Sequence, residues 1–424
     1  MKFIKALLLG SAVALTAVPA FAQQEITWWD FFSGGDGVRM KALIKAFNDE
    51  HPDIKINGTT LEWGVPFYTK VRTAASVGEA PDVMTYHLSR VPLAVSENIL
   101  SPITDQDLKD AGLRKSDFFE APMAAATENG KLYAVPLDIH AIVLYYNADL
   151  LKGSPYIDSN GKLTGISTMK DFEAALAWAK DHGVKTPVTY ETGAPAGIWR
   201  VFYTLLSQEG GTFIENGQVL PGDNTAKAVK AVQIMSDWRE KGWAPEQADY
   251  ESSVALYTSG KAAFQLNGVW EVPTYKDLVN KDKLGFKWGA IEIPPWMGKS
   301  ATWADSHAFA IPNQGDKTIS GEKRAAVMKA IGWIEKHAIQ WADAGHIPAY
   351  KPVTEGDAYK KLEPNATYAP LVKTAAFDPK SVITGVASPT YDAALNLLAP
   401  AVQGYMTPED AVEQMKSELQ GMLK

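Results

Sequence analysis

The chain switches repeatedly between two hydrophobic periods. "EITWWDF" alternates apolar and polar positions, as a half-buried strand does. Met40, Leu43, Ile44 and Phe47 then follow i, i+3, i+4, i+7 and predict an amphipathic helix from Gly37 to Asn48. Pro52 stops it, "DIKIN" alternates as a second strand, "PFYTKVRTAASVG" predicts a helix ended by Gly78, and "PDVMTY" is a third strand. A β-α-β-α-β order requires helical crossovers between parallel strands, and so predicts a layered α/β domain.

Later segments repeat the pattern. "STMKDFEAALAWAKDHG" sets Thr168 and Asp171 at capping-box spacing, and "TAKAVKAVQIMSDWREKG" brings Val229, Val232 and Trp238 toward one face. Val327, Ile331, Ile334 and Ala338 stack along a long helix starting near Gly321. In the last helix Thr407 caps, Pro408 takes the first helical position, and Val412, Met415 and Leu419 point inward. No internal repeat or low-complexity tract interrupts the chain.

With 424 residues, 46% of them hydrophobic, the chain can fill large cores. Its opening does not belong to them. Lys2 and Lys5 precede the apolar run "ALLLGSAVALTA", and "AFA" ends at Ala22, the pattern of a cleavable export signal. No later stretch approaches the about 18 apolar residues of a membrane span. The net charge of −8 offers nothing to nucleic acid or anionic lipid. The absence of cysteine excludes disulfides and a lipid-modified anchor. These features predict a periplasmic protein, exported and cleaved after Ala22.

Glycines between a strand and a helix, as in "WWDFFSGGDG", invite a nucleotide-loop reading. Gly35 and Gly37 fit G-x-G-x-x-G, but Met40 stands where the third glycine must be, and no Gly-Lys-Ser/Thr follows. Asp36 would also occupy the amide donors a phosphate needs. The plainer reading is a turn with an N-cap. Chemistry is scarce elsewhere. None of the seven histidines forms a close metal-ligand pair, although His87, His140, His307 and His346 lie at strand ends or loops from which they can converge; no metal or cofactor is expected, and hydrogen-bonding roles suit them better. In "ADSH", strand alternation turns Ser306 away from Asp305 and His307. Tyr145 and Tyr146 are not an iron-binding pair on this reading, since alternation puts their rings on opposite faces. No catalytic residue stands out.

The tryptophans carry the positive signal. Trp178, Trp238 and Trp333 ride on predicted helices and read as core. Trp63, Trp199, Trp270 and Trp303 sit in predicted loops near polar residues, as the stacking side chains of a sugar site do.

Several segments extend this reading: "ITWWDFFSGGDG" with "LIKAFNDEHPDIKI", "AASVGEAPDVMTYH", "GKLYAVPLDIHAIVLYYNADLL", "LLSQEGG", "GKAAFQLNGVWEV", "TWADSHAFAIP" and "AGHIPAYKPV". In these the chain resembles the carbohydrate-binding family of periplasmic solute-binding proteins of ABC transporters, the group containing maltose-binding protein. The resemblance spans nearly the whole sequence after the signal. It implies an α/β periplasmic binding protein fold with two lobes, a hinge and an interlobe ligand cleft. Residues 23–137 and 300–350 would form the N-terminal lobe, and 138–299 and 351–424 the C-terminal lobe, after a 1–22 signal. Crossings are expected near "VPLDIHA", around "IEIPPWMGKS" and near Lys351.

The resemblance also implies ligand contacts from Asp30, Phe32, Ser33, Asp36, Trp63, Asp82, Tyr86, Asp138, His140, Asn267, Trp270, Trp303, Asp305, His307, Gly345 and His346. Tyr350 replaces an arginine common in relatives, and Arg200 is an alternative cation. The implied partners are a sugar, oligosaccharide or glycoside and the permease subunits of an inner-membrane importer, with the binding protein a monomer. Two other readings are a polyamine or other small-solute carrier and an exported carbohydrate-active enzyme.

Overall fold

The computed structural model describes residues 23–423; the expected signal, 1–22, lies outside them. Two sheets organise the chain. In the first, parallel strands run in the order Ile54–Thr60, Gln24–Asp30, Val83–His87, followed by antiparallel His307–Pro312, with short pairings to Leu100–Ser101 and Ala134–Pro136. The second is built around the ten-residue strand Asp138–Asn147, every residue of which is buried. Phe264–Gly268, Trp288–Ile291, Thr302–Asp305 and Ile347–Pro348 all pair with it, while Val188–Thr189 and Ala375–Phe377 extend the edges. Burial on both faces explains why "AIVLYY" is a continuous apolar run. Tyr145 and Tyr146 enter two separate cores, as alternation requires.

The helices follow their patterns. Gly34–Glu50 buries Gly37, Met40, Leu43, Ile44 and Phe47, and Val65–Val77 ends on the left-handed Gly78. Thr168 and Asp171 form a complete capping box at Met169–Asp181, and Thr407 caps Pro408–Met422 by accepting from the Asp410 amide. Each large apolar side chain withdrawn from water in this way contributes about 2 kcal/mol. Two tryptophans depart from expectation. Trp199 lies inside helix Pro195–Gln208 and Trp303 on strand Thr302–Asp305, and both are fully buried. Their indole N–H groups, at 2.8 and 3.0 Å, share the buried carboxylate of Asp378, so their polar neighbour marks an internal hydrogen bond rather than a loop.

The chain passes between sheets at two adjacent places. Ala134–Pro136 belongs to the first sheet and Asp138–Asn147 to the second, so Leu137 is one crossing. Thr302–Asp305 belongs to the second and His307–Pro312 to the first, so Ser306 is the other. The Leu137 amide donates to the His307 carbonyl at 2.8 Å, which ties the crossings side by side. The second crossing thus falls after Ile291–Ser300, where the sequence suggests it. Ile347–Pro348 has already rejoined the second sheet ahead of Lys351, paired with Ile139 and Asp138. Strand pairing decides these positions, and hydrophobic pattern does not report it.

Gly332, inside helix Gly321–Lys336, shows how closely the elements approach: a Cβ there would lie 1.9 Å from the Ala111 carbonyl oxygen. Helix propensity alone favours alanine by about 1 kcal/mol. Gly332→Ala is nevertheless expected to destabilise the protein by about 1–3 kcal/mol through overpacking, read from the denaturant midpoint. A raised midpoint would show that this contact relaxes freely.

Candidate functional site

A cleft of ≈ 430 Å³ opens where the crossings meet the ends of both sheets. One wall follows strand Gln24–Asp30: Phe31, Phe32 and Ser33, then Gly34, Gly35 and Asp36 at the start of the helix. The Phe32 amide donates to Asp30 Oδ1 at 3.0 Å, so Asp30 folds the turn and does not line the cleft. A Cβ on Gly35 would meet Pro273 Cγ at 2.4 Å, and one on Gly37 the Phe32 carbonyl at 2.6 Å. The glycines therefore serve close approach. Asp36 makes no cap bond; its Oδ2 lies 3.1 Å from His346 Nε2. Trp63 adds a ring that is 41% exposed, and His87 ends strand Val83–His87.

The opposite wall comes from the second sheet's surroundings: Glu191, Ala196 and Arg200, Tyr250 and Glu251, and Trp270, Glu271 and Thr274. The Arg200 guanidinium lies 4.7 Å from the ring centres of both Trp270 and Trp303. Trp270 Nε1 donates to the Tyr250 hydroxyl at 2.9 Å, and that hydroxyl donates to Glu271 Oε1. Burial pushes the Glu271 carboxyl up to about 7, with Asp36 and Glu191 adding to the rise.

The floor is a buried cluster at the crossings. His140 Nδ1 lies 3.0 Å from Asp138 Oδ1 and His307 Nδ1 lies 2.8 Å from Oδ2. The His307 amide and the Trp341 indole donate to the same carboxylate at 2.9 and 2.7 Å. His346 stacks on Trp341 and sets Nδ1 3.4 Å from Oδ2. Burial acts to raise the Asp138 carboxyl, but His307 and His346 outweigh it and hold it well below the usual range. Burial drives His140 down to about 3, and His87 also goes well below its ordinary value. His346 is raised, because Asp36 and Asp138 overcome its burial. The histidines do converge, as their positions in the sequence allow. Asp138, His140, His307 and His346 bring ligand-type atoms within 4.8 Å of one another, as do His87, His140 and Asp305. Both Asp138 oxygens already accept hydrogen bonds, whereas the buried Nδ1 of His346 has no hydrogen-bond partner.

Of the residues carried over from the resemblance, Phe32, Ser33, Asp36, Trp63, His140, Trp270 and His307 line the cleft together. Asp138 and His346 lie directly behind them, and Trp303 backs Arg200. Others sit elsewhere. Asp82 precedes its strand, at the end away from His87, where it accepts from the Thr27 amide and pairs with Lys323. Tyr86 is buried against Tyr68, and Asp305 accepts from the Ser89 amide and hydroxyl. Asn267 is buried with Oδ1 on the Gly268 amide. The Gly345 carbonyl accepts from Tyr368, and Tyr350 bridges Phe118. Ser306 Oγ donates to the His307 carbonyl and makes no bond to its ring. Glu191, Tyr250, Glu251, Glu271 and Thr274 escaped the sequence reading. For Tyr250, Glu251 and Glu271 the only signal is a mixture of aromatic and acidic residues in "QADYESS" and "GVWEVP".

Residues 33–341 match the family model described as bacterial extracellular solute-binding protein. The chain is 30% identical to the maltodextrin-binding protein MdxE of Bacillus subtilis over 51% of its own length and 48% of that protein's, and so spans about half of that relative. It is 23% identical to the galactooligosaccharide-binding protein of B. subtilis, with 94% and 90% covered. Its fold is similar to that of the GacH receptor of Streptomyces glaucescens, solved unliganded and with acarbose: TM-score 0.79, 19% identity, 95% and 98% covered. These proteins support the two-lobed α/β fold. Among the described residues, no helix is long and apolar enough to cross a membrane.

The floor makes a prediction about pH. The unfolded chain takes a proton on His140 near pH 6.5, whereas the folded protein refuses it until about pH 3. Stability must therefore fall as pH drops through this window, by up to about 1.4 kcal/mol per pH unit for one histidine. Asp138 acts in the same direction at lower pH: its depressed pKa stabilises the fold above the unfolded carboxyl value, and that stability is lost as pH falls below it. His140→Gln is expected to flatten the melting-temperature profile between pH 6.5 and 4. A slope equal to wild type would mean that this imidazole is not the source.

Proposed function

The chain belongs to the bacterial extracellular solute-binding protein family, and from that premise we propose that it captures a sugar, oligosaccharide or glycoside in its cleft and delivers it unaltered to the permease of an ABC importer. One observation carries the proposal: Phe31, Phe32, Trp63, Tyr250 and Trp270 share a cavity with Asp36, Glu191, Glu251, Glu271, Arg200 and three imidazoles. A pyranose needs both kinds of surface. Its C–H face stacks on flat rings, and its hydroxyls need fixed acceptors and donors. The neutral imidazoles of His87 and His140 suit uncharged hydroxyls better than charged groups would. Relatives named for maltodextrin and galactooligosaccharide point to the same ligand class.

In this reading Phe32, Ser33, Asp36, Trp63, His140, Trp270 and His307 touch the ligand, and Asp138, Trp303 and His346 hold them in place. The lobes divide by sheet, with Leu137 and Ser306 as the hinge crossings. The mature protein begins at Gln23, works in the periplasm as a monomer, and catalyses nothing.

A thermal-shift screen of the mature protein against mono-, di- and oligosaccharides tests this. Ligand at 100 times its Kd adds about 2.7 kcal/mol, visible as a raised melting temperature. The expected result is a shift with one sugar class and recovery of that sugar intact. Hydrolysed product, or silence from every sugar, would overturn the reading. Trp63→Ala is expected to weaken the responding sugar at least tenfold while leaving the ligand-free melting temperature within about 2 °C, because the ring is partly exposed. Unchanged affinity would remove Trp63 from the site.

A further inference from the structure

Two carboxylates in the cleft are each half-used. Asp36 spends Oδ2 on His346, and its Oδ1, buried, has no partner. Glu271 spends Oε1 on Tyr250, and its Oε2, also buried, has no partner. Both residues line the cleft, and Glu271 is only 6% exposed. A buried acceptor left unsatisfied costs about 1–3 kcal/mol, and more when charged. The two side chains act on each other, and Glu191 acts on Glu271 in the same sense. Glu251 adds a fourth carboxylate to the lining, against Arg200 as the one guanidinium there. That guanidinium is stacked between Trp270 and Trp303.

A neutral hydroxyl carries one proton, so it satisfies one orphaned oxygen and leaves the charge excess untouched. An ammonium group carries three donors and a positive charge. Its charge offsets the repulsion from Asp36 and Glu191 that adds to the effect of burial on Glu271. Tyr250 and Trp270 beside it supply aromatic faces, which attract a cation as well as a sugar ring.

We propose that the cleft selects an amine-bearing carbohydrate, its ammonium held by Asp36 and Glu271 beside Tyr250 and Trp270. The proposal rests on the sugar-binding reading and narrows it. His346 lies against Asp36, and Arg39 is on the same helix. His346 is held between Asp36 and Asp138, and Arg39 is paired with Asp343, so neither is free to take the ligand's place at Asp36 Oδ1.

Matched pairs measured by calorimetry at pH 7.5 on the mature protein test the idea: glucosamine against glucose, galactosamine against galactose, and the deacetylated disaccharide chitobiose against cellobiose. In at least one pair the amine is expected to bind ten times more tightly or better, and N-acetylation is expected to erase the gain. Glu271→Gln and Asp36→Asn should each reduce that preference at least fivefold. Neutral sugars binding as tightly as their amines would overturn the proposal and leave the sugar reading intact. Binding of putrescine or spermidine with no sugar in the panel bound would overturn both.

Discussion

The structure turns on one buried anion. Asp138 is wholly withdrawn from water, and an isolated carboxylate there would cost several kcal/mol. It is tolerated because His140, His307, Trp341 and a backbone amide all direct donors at it, with His346 close behind. These partners come from different parts of the chain. Asp138 and His140 follow the first crossing, His307 follows the second, and Trp341 and His346 lie on the segment that returns to the second sheet. A single carboxylate therefore ties together the places where the chain changes sheet. Removing any one donor leaves a buried charge short of compensation, so the cluster holds the crossings in one arrangement.

The same cluster sets the chemistry of the cleft. With Nδ1 of His140 and His307 turned to Asp138, the opposite edges of these rings are left for the cavity. His140 and His307 stack 4.1 Å apart, which fixes both rings and makes a second charge beside the first unfavourable. Low proton affinity at His140 follows first from burial and then from His307 beside it. His87 and His140 thus present uncharged imidazoles to the cleft, whereas the far wall gathers carboxylates around one stacked guanidinium. A ligand lying across the cleft meets neutral hydrogen-bonding groups at one side and negative charge at the other.

How much of this was legible depended on range. Local signals read well: the i, i+3, i+4, i+7 pattern of Met40 to Phe47, the Thr168–Asp171 capping box and the Gly78 terminus are all set by neighbours within a few residues. The opening loop was legible as a turn into a helix, but Pro273, which requires Gly35, is more than two hundred residues away. Trp303 and Trp199 were misplaced because a polar neighbour in sequence looks the same whether it faces solvent or, like Asp378, is shared inside a core. Asp82 lies at the end of its strand away from His87, which its place in a family motif does not report. The acidic wall was missed because Glu191, Glu251 and Glu271 are distant in sequence and resemble ordinary surface residues until the fold brings them together.

Closure of such a cleft must be driven by its ligand, because the other contacts between the walls are weak or neutral. Asp343 pairs with Arg39 of the helix Gly34–Glu50 at 2.7 Å and with Lys276 of the helix Val272–Asn280 at 3.3 Å, so it spans the two walls. Its side chain is half exposed, and pairs of that kind contribute about 0–1 kcal/mol. The fit of Gly35 against Pro273 is steric: it permits approach without rewarding it. The Asp138 cluster belongs to the crossings and can persist whether the walls are near or apart. Asp36 and Glu271 each keep a buried oxygen without a partner, and such an acceptor costs more the less water can reach it. An empty closed cleft is therefore penalised at those two residues. A ligand that satisfies them gains affinity for the closed form alone, and differential affinity is the only means by which binding can shift a conformational equilibrium. The groups that choose the ligand are thus the same groups that make closure conditional on it.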